Sequence, residues 1–405
     1  MEKEFIKVKS QSVTLNVTAG KIDSFRQIEK TTGTVRVYEN GCIGIAGCLG
    51  EPDEEELTKK AQEALSFGIP YPEKLEGATE MEEHHDAEII PIPAFIPTMQ
   101  AFLDRLGELC PRFALSNKIS LNNTITEYRN SKGRHLLNSG RSFDISLIAQ
   151  NRGSGNLFDT GFGWSGDYFD AEELLKEFKK EYDAFYVPAE IKPGRYPVVT
   201  EASTVFYPYF RHFVGDLYAA GASLLSGKLG EKVFSDRLTV RDDRNPATAD
   251  GACFFDAEGC IARDYRPTLI ENGVLKGLLT TKKTAEAYNL PNLGNAQAAY
   301  DGVPDLGFGR LYLDATAKSM KELVPGKAIF VVMAAGGDAT PDGHFATPVQ
   351  MAYLMENGEL VGRLPDISVA GDFFDLFGKD YLGTVHDDPL KGSILTAFEM
   401  DVEKA

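Results

Sequence analysis

The tripeptide Glu-Asn-Gly stands three times between apolar or alternating runs, at 39–41, 271–273 and 356–358. A two-residue hairpin needs positive φ at both central positions, and Asn followed by Gly reaches it at least cost, so each site reads as a type I′ turn. In "TLIENGVLKGLLT" and "MAYLMENGELVGRL" the flanks are apolar enough to be strands of a sheet. The flanking sequences differ and the spacing is irregular, so the turns are not an internal repeat. They commit both ends of the chain to antiparallel sheet.

Helical signals lie between the strands. Residues 12–50 read as strands and turns, and a helix opens near Pro52-Asp53 with Leu57, Ala61, Ala64 and Leu65 on one face. Residues 66–97 are rich in Pro, Gly and acid and read as a long surface connection. A second helix presents Phe102, Leu103, Leu106 and Leu109, and strands follow over 119–151. A third helix opens at Asp170, which with Glu173 forms a capping-box-like pair; its apolar face is Leu174, Leu175, Phe178 and Tyr182. Proline then breaks "YVPAEIKPGRYPVV" (186–199) three times, which marks a domain boundary. With 405 residues the chain exceeds one ordinary core. The expected class is α+β: an N-terminal α/β domain over 1–190, helices packed on a sheet, then a β-rich domain over 191–405. In the second half, "KAIFVVMAAGG" (327–337) reads as a buried strand, and short helices are expected at 281–289, 316–324 (Ser319 and Glu322 as a capping box) and 371–382.

Charge narrows the partners. Net charge is −18, and no Lys/Arg cluster offsets it, so the surface repels phosphate backbones and direct nucleic-acid binding is not expected. No stretch has the apolar length of a signal peptide or a membrane span, which points to a cytoplasmic protein with no membrane partner. The five cysteines, Cys42, Cys48, Cys110, Cys253 and Cys260, show no CxxC spacing and read as mostly buried reduced thiols.

The candidate chemistry centres on "FYPYFRHFVGDLYAAGASLLSGKLGEKV" (206–233), a helix followed by a Gly/Ser/Lys loop. A zinc peptidase helix needs two histidines one turn apart and a carboxylate base. None of the six histidines forms such a pair. His212 has Asp216 at i+4, the spacing of a general-base unit or of a simple surface pair. His84 and His85 are adjacent in an acidic stretch and read as solvated loop. Asp338, Asp342 and His344 fall in a glycine-rich turn, as a metal site or as Asx turns. No nucleophile elbow, Walker loop or dinucleotide fingerprint is present.

Residues 254–297 resemble the TldD/PmbA family. The resemblance rests on Asp256-Ala257-Glu258-Gly259, on Ile270 to Leu275, on Thr284-Ala285 and on Gly294-Asn295. "SLLSGKLGEKV" with "LTVRDD" (223–243), "VRVYENGCIGIAG" (35–47), "RNSKG" (129–133) and "ISVAGDFFDLF" (367–377) extend it to nearly the whole chain. The resemblance implies an N-terminal α/β domain, a β-rich C-terminal domain of the TldD/PmbA type, and dimers around an enclosed cavity. It also implies proteolysis of peptides by a zinc-bearing TldD-type subunit with HExxxH and a distal cysteine, partnered by a PmbA/TldE-type subunit lacking those ligands; an older family label is modulator of DNA gyrase. In the family register the three helix positions fall on Phe206, Tyr207 and Arg211; shifted by one residue they fall on Tyr207, Pro208 and His212. No cysteine follows Cys260. The expectation is a non-catalytic PmbA/TldE-like chain with no catalytic residue, no metal ligand and no cofactor, zinc belonging only to a TldD-like partner. Its partners are expected to be a second subunit, identical or TldD-like, and a peptide. His212, Asp216, Gly294 and Asn295 are the expected peptide-cleft residues. The alternatives are a homodimeric peptide-binding scaffold and a peptidase with a rebuilt site.

Overall fold

A computed structural model describes residues 1–334, 336–386 and 394–404. The first half is built on long alternating strands: β1 (Glu2–Thr18), β2 (Lys21–Glu39), β3 (Cys42–Leu49), β4 (Ile69–Pro70), β5 (Thr79–His85), β6 (Phe113–Asn130), β7 (Arg134–Asn151) and β8 (Thr160–Gly166). They form one sheet in the order β4-β3-β2-β1-β6-β7-β5, with β8 also on β7. β5 is parallel to β7, from Thr79 opposite Arg134 to His85 opposite Gly140. The expected surface connection over 66–97 is therefore wrong in part: its middle is a strand, and His84 and His85 lie on that strand, not in a solvated loop.

Side-chain period two gives this sheet two different faces. On one, Phe5, Val35 and Val37 pack on Leu57 and Ala61 of helix α1 (Glu54–Ala64), which opens where expected and is capped by Asp53. Farther along the same face, Val13, Leu15, Ile119, Phe143 and Ile145 meet α2 (Ile92–Leu109) and α3 (Ala171–Phe185). The opposite face carries Glu4, Ile6, Thr34, Arg36 and Tyr128 and is covered at this end by the second half of the chain, where Phe254 and Phe255 pack on Tyr128 and Leu136.

The second half runs β9 (Gly194–Glu201), α4 (Ala202–Phe206), α5 (Gly215–Ala219), β10 (Val240–Asp243), β11 (Thr268–Glu271), β12 (Val274–Leu275), α6 (Lys282–Tyr288), β13 (Ala296–Gln297), β14 (Asp305–Leu306), β15 (Arg310–Leu313), α7 (Met320–Leu323), β16 (Lys327–Ala334), β17 (Asp338–Ala339), β18 (His344–Glu356), β19 (Glu359–Arg363), β20 (Ile367–Asp372), α8 (Phe373–Leu376), β21 (Tyr381–Val385) and β22 (Leu395–Lys404). Of the strand expected over 327–337, Ala335 lies outside the described residues. β16 pairs β9 and β18, β9 pairs β22, β22 pairs β20, and β20 pairs β18, so the pairings close on themselves. Val198, Ile329, Phe345, Val369, Phe398 and Met400 fill one core inside this ring. The alternate residues Val199, Phe330 and Ala397 face outward into the core that also holds α3. One helix is thus shared by two sheets, and the fold class is α+β as expected. The three Glu-Asn-Gly turns hold Asn40, Asn272 and Asn357 at φ 54, 48 and 51, the left-handed region that the hairpin reading requires.

Candidate functional site at the junction of the two halves

The segment expected to be one helix from Phe206 is not one. The α-turn of α4 ends at Phe206, a 3₁₀ stretch runs over Tyr207–Phe213, and Val214 is extended (φ −72, ψ 122) before α5 begins. Pro208 lacks the amide donor that a continuing α-helix needs. The i,i+4 geometry of His212 and Asp216 is lost with the helix. His212 is 3% exposed, its ring lies between Tyr209 and Phe373, and its Nδ1 accepts from the Leu224 N–H at 3.2 Å. Burial pushes the imidazole below its ordinary value, and Arg211 adds to that. Asp216 instead accepts from the Thr284 hydroxyl at 2.7 Å.

Zinc does not fit this segment. Phe206 is 1% exposed and stacks on Phe213 at 5.2 Å between ring centroids. Tyr207 is half exposed, and the remaining positions are Pro208, Arg211 and one buried histidine. Aromatic, proline and guanidinium side chains supply no zinc donor set. The other histidine candidates are equally dispersed. His84 bonds Ser139 and Glu82, His85 bonds Glu83, and His344 faces Asp372 while Asp342 bonds Thr340. Among the described residues, Asp338, Asp342 and His344 do not converge on one point.

Convergence occurs elsewhere, in a stretch that reads from sequence only as a turn. Asp256, Glu258 and Cys260 bring one carboxylate or thiol atom each within 4.8 Å of one another. Asp256 Oδ1 accepts the N–H groups of Glu258 (2.9 Å) and Cys260 (2.8 Å), and Oδ2 that of Ala296 (3.0 Å). Glu258 Oε1 accepts from the Tyr71 hydroxyl at 2.5 Å and Oε2 from the Lys282 N–H at 3.0 Å. Every carboxylate oxygen of the pair already has a donor, and burial raises the Cys260 thiol far above the thiolate range. The cluster ties the two halves together instead of presenting open ligands. Gly259 completes it at φ 71: a Cβ there would lie 2.4 Å from Cε1 of Tyr128.

The network reaches across the junction. Glu4 is fully buried and accepts from Tyr128 (2.7 Å) and Tyr38 (2.8 Å), with Arg36 at 3.4 Å and Lys282 at 4.0 Å. Lys282 Nζ also donates to the Glu258 carbonyl at 3.0 Å, and Arg36 Nη1 to the Ala257 carbonyl at 2.6 Å. Burial is compensated by these partners, as a buried charge requires. Burial and the Asp256 carboxylate push Glu258 up to about 7. Asn295 lies at the edge of this network, donating to Asp242 at 2.9 Å, and Gly294 packs on Cys260 at φ 74. The structure thus separates the expected cleft residues: His212 in an aromatic core, Asp216 on α5 beside α6, Gly294 and Asn295 at the junction. Glu4, Arg36, Tyr38, Tyr71, Tyr128 and Lys282 were not foreseen. A signal did exist in Glu4, an acid at an inward position of an alternating strand.

Residues 193–395 match the family described as the PmbA/TldA metallopeptidase C-terminal domain. The chain belongs to the TldD/PmbA family. A metalloprotease of Archaeoglobus fulgidus is 27% identical over 403 residues, covering 93% of this chain and 90% of that protein. A zinc metalloprotease TldD homolog of Saccharolobus solfataricus is 26% identical over 260 residues, 61% of this chain and 58% of the homolog. The crystal structure of TldE from Thermococcus kodakarensis superposes with a TM-score of 0.78 at 18% identity, over the whole of this chain and 97% of that one. That likeness establishes the TldD/PmbA fold. Among the described residues of this member, no helix is long and apolar enough to cross a membrane.

Proposed function

We propose that this chain is a non-catalytic, PmbA/TldE-like subunit of a metallopeptidase complex that processes unfolded or modified peptides. The observation that carries the reading is the broken segment 202–219. Where a zinc peptidase of this family would present ligands on a helix, this chain packs Phe206 and Phe213 face to face and turns through Pro208. Metal-assisted hydrolysis needs a polarised water and a general base at one point, and these residues supply neither. In this reading zinc resides in a TldD-like partner, and the present chain contributes wall and binding surface at a cytoplasmic dimer interface. Elemental analysis of the purified, dialysed chain tests it: the expected result is well under 0.1 zinc per chain, on the order of background for a protein lacking three or four ligands. One zinc per chain that is lost on substituting His212 or Cys260 overturns the reading in favour of a rebuilt site.

A further inference from the structure

Between the polar face of the first sheet and the loops of the second half lies a cleft of about 660 Å³, the size of an ordinary small-ligand site. Its floor is alternate residues of β1, β2 and β6, among them Lys30, Thr32, Thr34 and Arg36; its roof is Cys253, residues 255–257 and 296–300, and Arg244. The floor sinks along β2. Lys30 is exposed, Thr32 is 8% exposed, Thr34 4% and Arg36 2%. No residue of β2 beyond Arg36 lines the cleft, and Tyr38, the next residue on that face, is buried and donates to Glu4 at 2.8 Å. It is a blind end.

The chemistry of that end is donor-rich. Arg36 and Arg244 line the cleft beside the carboxylate Asp256, whose oxygens are both taken by backbone N–H groups. Arg244 pairs with Asp242 at 3.0 Å and Arg36 with Glu4 at 3.4 Å, and Lys30 stands at the exposed mouth. Arg36 spends Nη1 on Glu4 and the Ala257 carbonyl, but among the described residues nothing accepts from its Nε, which is buried. A buried guanidinium donor with no partner calls for an acceptor.

We infer that the blind end of this cleft is a carboxylate-binding subsite, in which Arg36 receives the C-terminal carboxylate of an extended peptide whose chain leaves past Thr32 and Lys30. A terminus is favoured over an internal Asp or Glu because the cleft does not continue beyond Arg36. Lys30, held over the Tyr300 ring at 5.5 Å, screens the entrance. Thr34, bonded to the Tyr300 carbonyl, fixes roof to floor. The inference rests on the peptide-handling reading above, but it is tested on the chain alone, so the two fail separately.

The test is calorimetric titration of the full chain with three acetylated Gly/Ser/Ala hexapeptides: a free acid, its C-terminal amide, and an amide with one internal Glu. The expected result is that the free acid binds at least tenfold tighter than either amide. Arg36→Lys, which keeps the charge beside Glu4 but loses Nε, brings acid and amide within about threefold. Circular dichroism checks that the variant is folded, and the comparison of the three peptides on the wild-type chain stands as the test if it is not. Equal binding of acid and amide, equal binding of the internal-Glu amide and the acid, or no binding of the acid at millimolar concentration each overturns the subsite. None of these results bears on whether the chain stimulates a partner's peptidase.

Discussion

At Glu258 a single proton is coupled to folding. The buried carboxyl titrates near 7, raised first by burial and then by Asp256, with Lys282 and Tyr71 pulling the other way. In the unfolded chain it titrates near an ordinary glutamate, so between about pH 4.5 and 7 the folded state holds the extra proton. Stability therefore falls as pH rises through that window and the loss is complete above it. Gln at this position mimics the protonated acid, donating to Tyr71 and accepting from the Lys282 N–H. Denaturant midpoints of wild type and Glu258→Gln at pH 5 to 8 should diverge in favour of the variant by on the order of 3 kcal/mol. His212 and the carboxylates outside this cluster are common to both proteins and cancel in the difference, while Asp256, which Glu258 faces, titrates with it as one pair. A difference that stays flat with pH would show that Glu258 is ionised in the fold. Little of this was legible in the sequence. "FFDAEGC" announced a turn, but Glu4 and Lys282 are 278 positions apart, and only the folded chain brings them to 4.0 Å.

At the scale of elements, α3 is the clearest case of a helix readable in advance. Asp170 caps it by accepting from Glu172 and Glu173 N–H groups at 3.0 Å, and Leu174, Leu175 and Phe178 are buried. Phe178 stacks on Phe162 at 4.7 Å and meets Phe102 edge-on, in the core shared by both sheets. Phe178→Ala should cost about 3–5 kcal/mol and Asp170→Ala about 1 kcal/mol, both by equilibrium denaturation. A loss under 1 kcal/mol for Phe178→Ala would mean that α3 is not the shared layer. Elements that depended on distant partners were not readable. "TEMEEHH" has no apolar alternation, and becomes β5 only through parallel pairing with β7. Residues 206–219 do have helical spacing, yet Pro208 and the extended Val214 divide them, and with that division the His212–Asp216 pair disappears.

At the scale of the whole molecule, the proposed role as a non-catalytic subunit requires a dimer. The chain should sediment as a dimer at micromolar concentration through its second half; a monomer there would remove the chamber that the reading needs. Whether this chain catalyses is read from cleavage itself. A casein-derived unstructured peptide is incubated with this chain alone, with a zinc-bearing TldD-like relative alone, and with the two mixed. The expected result is no cleavage by this chain, a rate for the mixture at least several-fold above the relative alone, and the same rate for the mixture when His212→Ala replaces the wild-type chain at equal folded concentration. Cleavage by this chain alone that a chelator or His212→Ala abolishes, or a mixture no faster than the relative by itself, would contradict it.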